Sequence, residues 1–252
     1  MSITGISGYG RIKLFNDFMG PEIPVANAVA YGTTAGGCNY YLGDFGVWGK
    51  LSETDTGVAK LSKENGYVRV GGNNEDGYGV FIGKYLNLTP GYNGPIVIEC
   101  ALERAAVTAG VVFVGLMGTH ADNTAEPCTS ATTTITKVAT CCGFLLDSQL
   151  TASTTWHMPY LLSTDTTQTS TGVASSQTAT AAETDIVRLE VFANGGAQWF
   201  INGKLEQTVG AGLAISTTTK MSAGVGCWGT TTTAASVDVD YLAVEANRYW
   251  AR

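Results

Sequence analysis

Two glutamates, Glu99 and Glu103, stand four positions apart in the short segment Glu99-Cys100-Ala101-Leu102-Glu103. In a β-strand, residues separated by an even number of positions face the same side, so the two carboxyl groups would point together. A retaining glycoside hydrolase needs two carboxyl groups about 5–5.5 Å apart for its nucleophile and its acid. Ala101 stands between them, however, where a third carboxylate would help to separate the pKa values of the other two. We therefore predict that neither glutamate is catalytic and that both lie on a solvated sheet face.

A second pair of acids, Asp238 and Asp240, is spaced for a shared strand face, about 6.6 Å apart. Calcium could use such a pair together with loop oxygens, but no Asp-rich loop accompanies it, so we expect surface carboxylates. The only histidines are His120 and His157, and no Gly-x-Ser-x-Gly turn supplies a nucleophile for them. His120 beside Asp122 is therefore interpreted as a polar loop residue. The sequence predicts no enzyme, no metal and no cofactor.

Five tryptophans could stack on sugar rings, and one of them lies beside a candidate binding loop. Trp156 opens the segment Trp156-His157-Met158-Pro159-Tyr160, which borders a long Thr-rich stretch. An aromatic ring can offer its apolar face to a ligand, but packing at a sheet edge uses the same property. Trp156 and Tyr160 are therefore the candidates for glycan stacking, with edge packing as the alternative.

Short strands joined by tight turns must position these side chains, because no long segment shows helical spacing of apolar residues. Pro95–Glu103 alternates two faces, and Gly110–Met117 is apolar throughout, as in a strand covered on both faces. Only 14% of the 252 residues are charged, 32 are Gly and Thr is frequent, a composition typical of pleated surfaces and turns. Many short antiparallel strands without crossover helices predict an all-β double-sheet sandwich or jelly roll.

Turn signals divide the chain into predicted strands and loops. The strands are Val58–Leu61, Tyr67–Val70, Tyr78–Ile82, Pro95–Glu103, Gly110–Met117, Gly143–Asp147, Trp156–Leu162, Met221–Trp228 and Ser236–Glu245, with three more in residues 185–209. Residues 118–140 and 163–184, rich in Thr, are predicted to be surface loops. In the last strand, simple alternation places Val239 and Tyr241 on one face and Leu242 on the other.

Three runs in the second half of the chain carry a family resemblance. RLEVFANGGAQWFINGKLEQTV, followed by MSAGVGCW and then VDVDYLAVE, resembles the C-terminal half of concanavalin A-like, laminin G-type jelly rolls. The resemblance covers about residues 95–245 and implies a concanavalin A-like jelly-roll β-sandwich of antiparallel strands. Several glycan hydrolases of this fold carry Glu-x-Asp-x-Glu on one strand. Here Ala101 replaces the central Asp, which puts hydrolysis in doubt.

The Gly- and Thr-rich, Lys-poor style of the sequence also resembles virion structural proteins of tailed bacteriophages, which use this jelly roll. That resemblance implies a non-enzymatic capsid decoration (cement) protein, made in the host cytoplasm and located on the capsid surface. It would clamp neighbouring subunits of the major capsid protein as a symmetric homo-oligomer, and a trimer fits positions of local three-fold symmetry. The alternative is a carbohydrate-binding, lectin-like module or a tail receptor-binding component.

The chain is divided into residues 1–20, an N-terminal arm or edge strand, residues 21–246, a single β-sandwich domain, and residues 247–252, a C-terminal tail. Apolar and aromatic residues at the chain ends lack an obvious place in a sandwich, and Arg and aromatic residues are enriched at protein interfaces. The residues predicted to make assembly contacts are Arg11, Phe15, Phe18, Arg248, Tyr249 and Trp250.

The charge, the apolar runs and the cysteine spacing of the sequence argue against nucleic-acid binding, a membrane helix and a zinc site. The formal charge is −7 and the sequence pI is about 4.8, without a cluster of Lys and Arg, so nucleic-acid binding is not expected. No run approaches the roughly 20 apolar residues of a membrane helix, and the N-terminus lacks a secretory-signal pattern. The six cysteines do not have zinc spacing and are predicted to be mostly free thiols in a reducing cytosol.

Overall fold

Two large antiparallel sheets face each other across the main apolar core, and a small third sheet covers part of one of them. The computed structural model describes residues 10–20, 40–49, 57–72, 77–106, 109–118, 126–137, 140–160, 167–230 and 234–249. Helix in these ranges is limited to α1 (Pro90–Asn93) and the 3-10 turn Ser170–Val173, so the expected all-β class is confirmed. In the same ranges, no helix has the length and apolar content that crossing a bilayer requires.

The strands follow one another closely along the chain. In order they are β1 (Arg11–Asn16), β2 (Tyr40–Leu42), β3 (Phe45–Gly49), β4 (Gly57–Lys60), β5 (Val68–Gly72), β6 (Gly79–Gly83), β7 (Ile96–Glu103), β8 (Val111–Met117), β9 (Cys128–Ala131), β10 (Thr134–Lys137), β11 (Cys141–Asp147), β12 (Thr155–His157), β13 (Thr167–Thr169), β14 (Ala174–Thr178), β15 (Thr184–Val191), β16 (Ala197–Ile201), β17 (Lys204–Val209), β18 (Ser222–Trp228) and β19 (Ala235–Asn247).

Sheet I has the strand order β17-β16-β15-β7-β19-β5-β4, and sheet II has the order β14-β12-β11-β8-β18-β6-β3-β2. The small sheet has the order β13-β10-β9. The long strand β19 pairs along one edge with β7, while β5 and then β1 share its other edge. Because β1 pairs with the last part of β19, the described parts of both chain ends lie side by side.

Alternation along the strands of sheet I produces the main core. Ile96, Ile98 and Cys100 on β7 are fully buried, and Val187 and Leu189 on the neighbouring β15 are buried beside them. These side chains pack against apolar residues of sheet II, and this burial is the main stabilising contribution of the sandwich. The period-two pattern read from residues 95–103 and 185–191 therefore matches the buried face of the structure.

The strands β3, β6, β18, β8 and β11 of sheet II are buried on both faces, as the uninterrupted apolar run of β8 predicts. Val112 and Val114 face the main core, whereas Phe113 faces a second apolar cluster beneath the small sheet. Ile135 of the small sheet and Val173 of the 3-10 turn close this second cluster. A strand with apolar neighbours on both faces has a continuous apolar sequence instead of alternating apolar and polar residues.

The two segments predicted to be loops contain strands, so that prediction is wrong in part. Residues 118–140 contain β9 and β10, and residues 163–184 contain β13 and β14. Thr favours extended backbone, but these strands bury few side chains: Cys128 and Ile135 are fully buried and most of their neighbours are not. Without repeated apolar positions, the alternation that identifies a strand is missing.

A β-bulge at Asp240 overturns the simple alternation predicted for β19. Val239 pairs with Leu102 of β7, but the next paired residue is Tyr241, which leaves Asp240 as the extra residue. Leu242 is consequently fully buried on the same core face as Val239, and Tyr241 faces outward. One inserted residue reverses the facing of every residue beyond it.

Five glycines stand in register across five neighbouring strands of sheet II. They are Gly46, Gly83, Gly224, Gly115 and Gly143, from β3 to β11. Aromatic rings lie over this row, because a Cβ atom on Gly224 would come 2.7 Å from Cζ of Phe81, and one on Gly143 would come 2.6 Å from Cζ of Phe113. The glycines thus allow aromatic rings to lie flat against the sheet.

Candidate functional site

The outer face of sheet I holds the two glutamates that first suggested chemistry. The Tyr241 hydroxyl donates a hydrogen bond to Oε1 of Glu99 at 2.8 Å, and Nη1 of Arg188 lies 3.6 Å from Oε2. Burial and the neighbouring Glu99 raise the pKa of Tyr241, so the phenol stays protonated and acts as a donor. Glu99 is therefore held by structural partners.

Glu103 belongs to a separate ionic cluster with Asp238. Nζ of Lys63 lies 2.8 Å from Glu103 and 2.9 Å from Asp238, and Nε of Arg69 lies 2.7 Å from the other oxygen of Asp238. Burial alone would lower the pKa of Lys63, but its hydrogen bonds to Glu103 and Asp238 outweigh that effect and raise it. Two carboxylates and two cations thus neutralise one another.

These contacts argue against glycoside hydrolysis by the two glutamates and against metal binding by Asp238 and Asp240. Ala101, between the two glutamates, is buried and contributes no third carboxylate. Asp238 is only 1% exposed and directs its oxygens to Lys63 and Arg69, so it is not available to a metal together with Asp240. Nowhere in the described ranges do three His, Cys, Asp or Glu side chains form a group that could hold a metal ion.

Trp156 does not form the predicted stacking surface for a sugar. Its side chain is fully buried on the core side of sheet II, its Nε1 donates to Oδ2 of Asp185 at 2.9 Å, and Phe144 packs edge-on at 6.1 Å. The ring therefore has no exposed face. Tyr160 is half-buried and its ring lies 5.9 Å from Trp199, which makes it part of the packing between the sheets.

The described histidine, His157, is not exposed. His157 follows Trp156 on β12 and is fully buried, and this burial lowers the pKa of its imidazole, which favours the neutral ring. His120 and Asp122 lie outside the described residues.

The N-terminal contact residues divide into a core residue and surface residues. Phe18 is fully buried, so its assignment as an assembly contact is corrected. Oδ1 of Asn16 accepts the Phe18 amide at 2.7 Å and Nδ2 of Asn16 donates to the Leu42 carbonyl at 2.8 Å, a side-chain-capped turn that directs the Phe18 ring inward. Arg11 and Phe15 are exposed on β1.

The C-terminal contact residues lie at the end of β19. Arg248 and Tyr249 are both exposed, while Trp250 lies outside the described residues. The Tyr249 ring stacks on Tyr92 of α1, with ring centroids 4.5 Å apart and an angle of 29° between the planes. Each of these two tyrosines remains more than half exposed, at 57% for Tyr249 and 53% for Tyr92.

The stacked tyrosines form one wall of a groove of about 480 Å³, which we call the tyrosine groove. Its lining includes Asn87, Thr89, Tyr92, Lys220, Arg248 and Tyr249. The groove joins residues from four separated parts of the chain, and it combines ring surface, amide, hydroxyl and cationic groups. A few polar groups among apolar surface are typical of ligand-binding clefts.

Two asparagines, the buried Asn93 and the half-buried Asn247, fix the frame of the groove. Oδ1 of Asn93 accepts the Thr89 amide at 2.7 Å, and Nδ2 of Asn93 donates to the Asn247 carbonyl at 2.8 Å. Nδ2 of Asn247 in turn donates to the Gly94 carbonyl at 2.7 Å. These reciprocal bonds tie α1 to the end of β19, and the two tyrosines are thereby held against each other.

The groove is positively charged although the chain as a whole carries −7. Neither Lys220 nor Arg248 forms an ion pair with any described residue, and the described lining contains no Asp or Glu. Sequence reasoning identified Arg248 and Tyr249 but missed Tyr92 and Lys220, which are distant in sequence. The only local signal was a tyrosine in the short turn-forming segment Pro90–Asn93.

Comparisons with known proteins place the architecture in a known class. A protein of unknown function from Shewanella oneidensis MR-1 superposes with a TM-score of 0.56 and 11% identity, covering 96% of this chain and 89% of that chain. Peanut lectin gives a TM-score of 0.51 and 8% identity, with 94% and 97% covered. The protein has the concanavalin A-like fold.

The carbohydrate recognition domain of Emp46p gives a TM-score of 0.50 and 10% identity, over 79% of this chain and 87% of that one. The sequence matches no protein-family model, and no curated protein matches it. At these identities the similarity concerns the fold, which confirms the jelly-roll sandwich expected from the sequence. The properties of the tyrosine groove therefore have to be argued from its own residues.

Proposed function

We propose that this protein is a non-enzymatic structural protein of a bacteriophage virion, a capsid decoration protein that clamps neighbouring subunits of the major capsid protein. The observation that carries this proposal is the exposed aromatic and apolar surface beside the two chain ends. Phe15, Met19 and Tyr249 are 55%, 62% and 57% exposed, and Tyr92 stacks on the last of them. Tyr249 is exposed next to Arg248, and exposed aromatic and arginine side chains resemble the anchors of protein interfaces.

The clamp would act through burial of surface, without a chemical step. β1 pairs with the end of β19, so Phe15 on β1 and Tyr249 just beyond β19 could both insert at joints between capsid subunits. A homotrimer on positions of local three-fold symmetry would repeat this contact and strengthen it through multivalency. The ion-paired carboxylates Glu99 and Glu103 are consistent with a role that needs no catalysis.

Binding to capsid shells tests the proposal directly. Purified protein is added to shells that lack it, and the bound amount is measured by sedimentation and cryo-electron microscopy. Saturation at a fixed ratio to the capsid subunit is expected, together with at least about tenfold weaker binding for Phe15→Ala combined with Tyr249→Ala. Leu205→Ala removes a side chain of comparable exposure from β17 and serves as the control. Absence of saturable binding by the unaltered protein would overturn the proposal.

A second candidate function, glycan binding as a lectin-like module or receptor-binding component, is favoured by the tyrosine groove. Its two ring surfaces and its cations, which form no ion pair with the described residues, could hold a sugar at the edge of the sandwich. A glycan array distinguishes the two functions. Saturable glycan binding that is lost on Tyr249→Ala, without any capsid binding, would favour this second candidate over the first.

A further inference from the structure

The tyrosine groove brings two basic side chains together, whereas some other basic side chains of this acidic protein lie beside carboxylates. Lys13 pairs with Glu245, and Lys63 pairs with both Glu103 and Asp238. Lys220 and Arg248 have no carboxylate partner in the described ranges, yet both line the same groove. Positive charge concentrated in one cleft attracts an anion.

The cations are of two kinds, and together they suit a carboxylate. An arginine can hold both oxygens of a carboxylate through its planar pair of N–H donors, whereas a lysine adds a mobile point charge. Arg248 has its backbone fixed, because its amide donates to the Gly10 carbonyl at 2.8 Å. The position of the Arg248 backbone at the groove is therefore defined. Lys220 reaches the same groove from a different loop.

The remaining surface of the groove suits a pyranose ring. The stacked pair of Tyr92 and Tyr249 leaves more than half of each side chain exposed, and an aromatic face packs well against the C–H groups of a sugar. The Asn87 amide and the Thr218 hydroxyl are exposed in the lining and can both donate to and accept from hydroxyl groups. A volume of about 480 Å³ is within the range of small-ligand sites.

We propose that the tyrosine groove binds a saccharide that carries a carboxylate, a uronic or sialic acid unit. The carboxylate lies between Arg248 and Lys220, and the ring lies against Tyr92 and Tyr249. This inference rests on the second candidate function, glycan binding, and gives that function a substrate class. The same groove contributes Tyr249 to the capsid contact, so a glycan and a capsid partner would compete for it.

The test compares acidic and neutral sugars on the intact protein. An array of glycans ending in glucuronic, galacturonic or sialic acid is probed beside the matching neutral glycans, and the strongest pair is measured by isothermal titration calorimetry. We expect the acidic member to bind at least about tenfold more tightly, and to weaken as salt is raised from about 50 to 500 mM.

Variants assign the binding to the groove. Arg248→Gln and Lys220→Gln should each weaken the acidic glycan about tenfold and weaken any neutral glycan clearly less, while Tyr249→Ala should weaken both to a similar extent. Lys13→Gln makes the same charge change on β1 outside the groove lining and should have no effect. Each variant is first shown by its thermal unfolding temperature to be folded, since all four positions are exposed.

The other possible outcomes distinguish a failure of the carboxylate preference from a failure of glycan binding itself. Equal binding of acidic and neutral glycans would overturn the carboxylate preference and leave glycan binding standing. Binding of no glycan at all would overturn both. Displacement of the acidic glycan by a poly-glutamate peptide at an equal concentration of carboxylate would show a general anion site and would also overturn the saccharide class.

Discussion

Aromatic residues in this protein have opposite roles according to the face on which they lie. Trp156 and Tyr249 are both aromatic and both border segments of low complexity or chain ends, yet one is fully buried and the other is 57% exposed. Trp156 fills the core and satisfies its only polar atom with Asp185, whereas Tyr249 contacts Tyr92 and solvent. A stability measurement distinguishes these two roles.

Trp156→Ala is expected to lower the free energy of unfolding by about 3–5 kcal/mol, because it leaves a large cavity and removes one of the hydrogen-bond donors to Asp185. Tyr249→Ala is expected to cost less than about 1 kcal/mol, because an exposed ring loses little buried area. Urea unfolding followed by tryptophan fluorescence and circular dichroism measures both values. A small loss for Trp156→Ala would contradict its position in the core.

Residue types alone could not assign these roles, and the reason is physical. The motif around Trp156 predicts an aromatic ring at a strand end, but which face the ring takes depends on the partner sheet. Phe18 likewise was read as a chain-end contact, whereas a turn capped by Asn16 directs it into the core. Lys220 and Tyr92 meet only through tertiary structure, so no pattern in sequence could place them together.

At the scale of elements, the glycine row of sheet II makes a sharp prediction. A Cβ atom on Gly224 would lie 2.0 Å from the Ile82 carbonyl oxygen, as well as under the Phe81 ring. Gly224→Ala should therefore cost at least about 2–3 kcal/mol, through overpacking of a sheet that is covered on both faces. The backbone atom cannot move without disturbing the pairing of β6 with β18.

The matched control is Gly210→Ala, where the added Cβ would meet only Leu213 Cδ1, at an ordinary contact distance of 3.7 Å. That variant should change the free energy of unfolding by less than about 1 kcal/mol. Thermal and urea unfolding of the two variants should differ clearly. Equal destabilisation would mean that the strain at Gly224 is relieved by a movement of the Phe81 ring and β6 together.

Glu206 joins the free edges of the two large sheets and gives the fold a pH dependence. Its carboxylate accepts from the Ser176 amide at 2.6 Å and from Gln177 at 3.2 Å, both on β14, and from Lys204 at 3.0 Å. Burial alone would raise the pKa of Glu206, but these hydrogen bonds lower it to about 2 from an ordinary value of 4.5. The folded state therefore favours the ionised form.

Because the folded pKa lies below the unfolded one, the stabilisation is present above about pH 4.5 and is lost as the pH falls towards 2. Glu206→Gln should lower the free energy of unfolding by about 1–3 kcal/mol at pH 7, and the difference should shrink between pH 4.5 and 2. Glu245→Gln, which breaks an exposed pair with Lys13, is the control and should cost less than about 1 kcal/mol. A loss of unfolding free energy for Glu206→Gln that is independent of pH would contradict the stabilisation by the ionised Glu206.

Element types were predictable where one physical rule dominated. Alternation located β7 and β15 to within a residue or two, and continuous apolarity located β8. The bulge at Asp240 was not predictable, because it is required by the pairing of β19 with β7 rather than by any local preference. The strands of the small sheet escaped notice because their burial comes from a second cluster that only the assembled sheet II creates.

At the scale of the whole molecule, the architecture is easier to predict from the sequence than the function is. The sandwich needs only alternating apolar positions and turn residues, and many sequences satisfy those conditions, as the identities of 8% to 11% with the similar structures illustrate. A binding surface instead depends on a few side chains brought together from distant segments. The tyrosine groove draws on β1, on α1 and the loop before it, on the loop that contains Lys220, and on the residues just after β19.

The closed sandwich also determines the accessibility of its thiols. Five of the six cysteines lie in the described ranges, and all five are fully buried: Cys100, Cys128, Cys141, Cys142 and Cys227. Burial raises the pKa of Cys100 and of Cys142, which keeps these thiols protonated and unreactive. Sγ of Cys128 lies 3.7 Å from Sγ of Cys141, so both remain free thiols in contact.

A thiol titration with an aromatic disulfide reagent should therefore report no more than one reactive group per native chain, and six after unfolding in guanidinium chloride. The slow phase of the native reaction should follow global unfolding, because the main core must open before Cys100 is reached. Reaction of several thiols without unfolding would contradict the closed core. Four groups after unfolding under non-reducing conditions would instead indicate a disulfide between Cys128 and Cys141, whose sulfurs are the pair in contact.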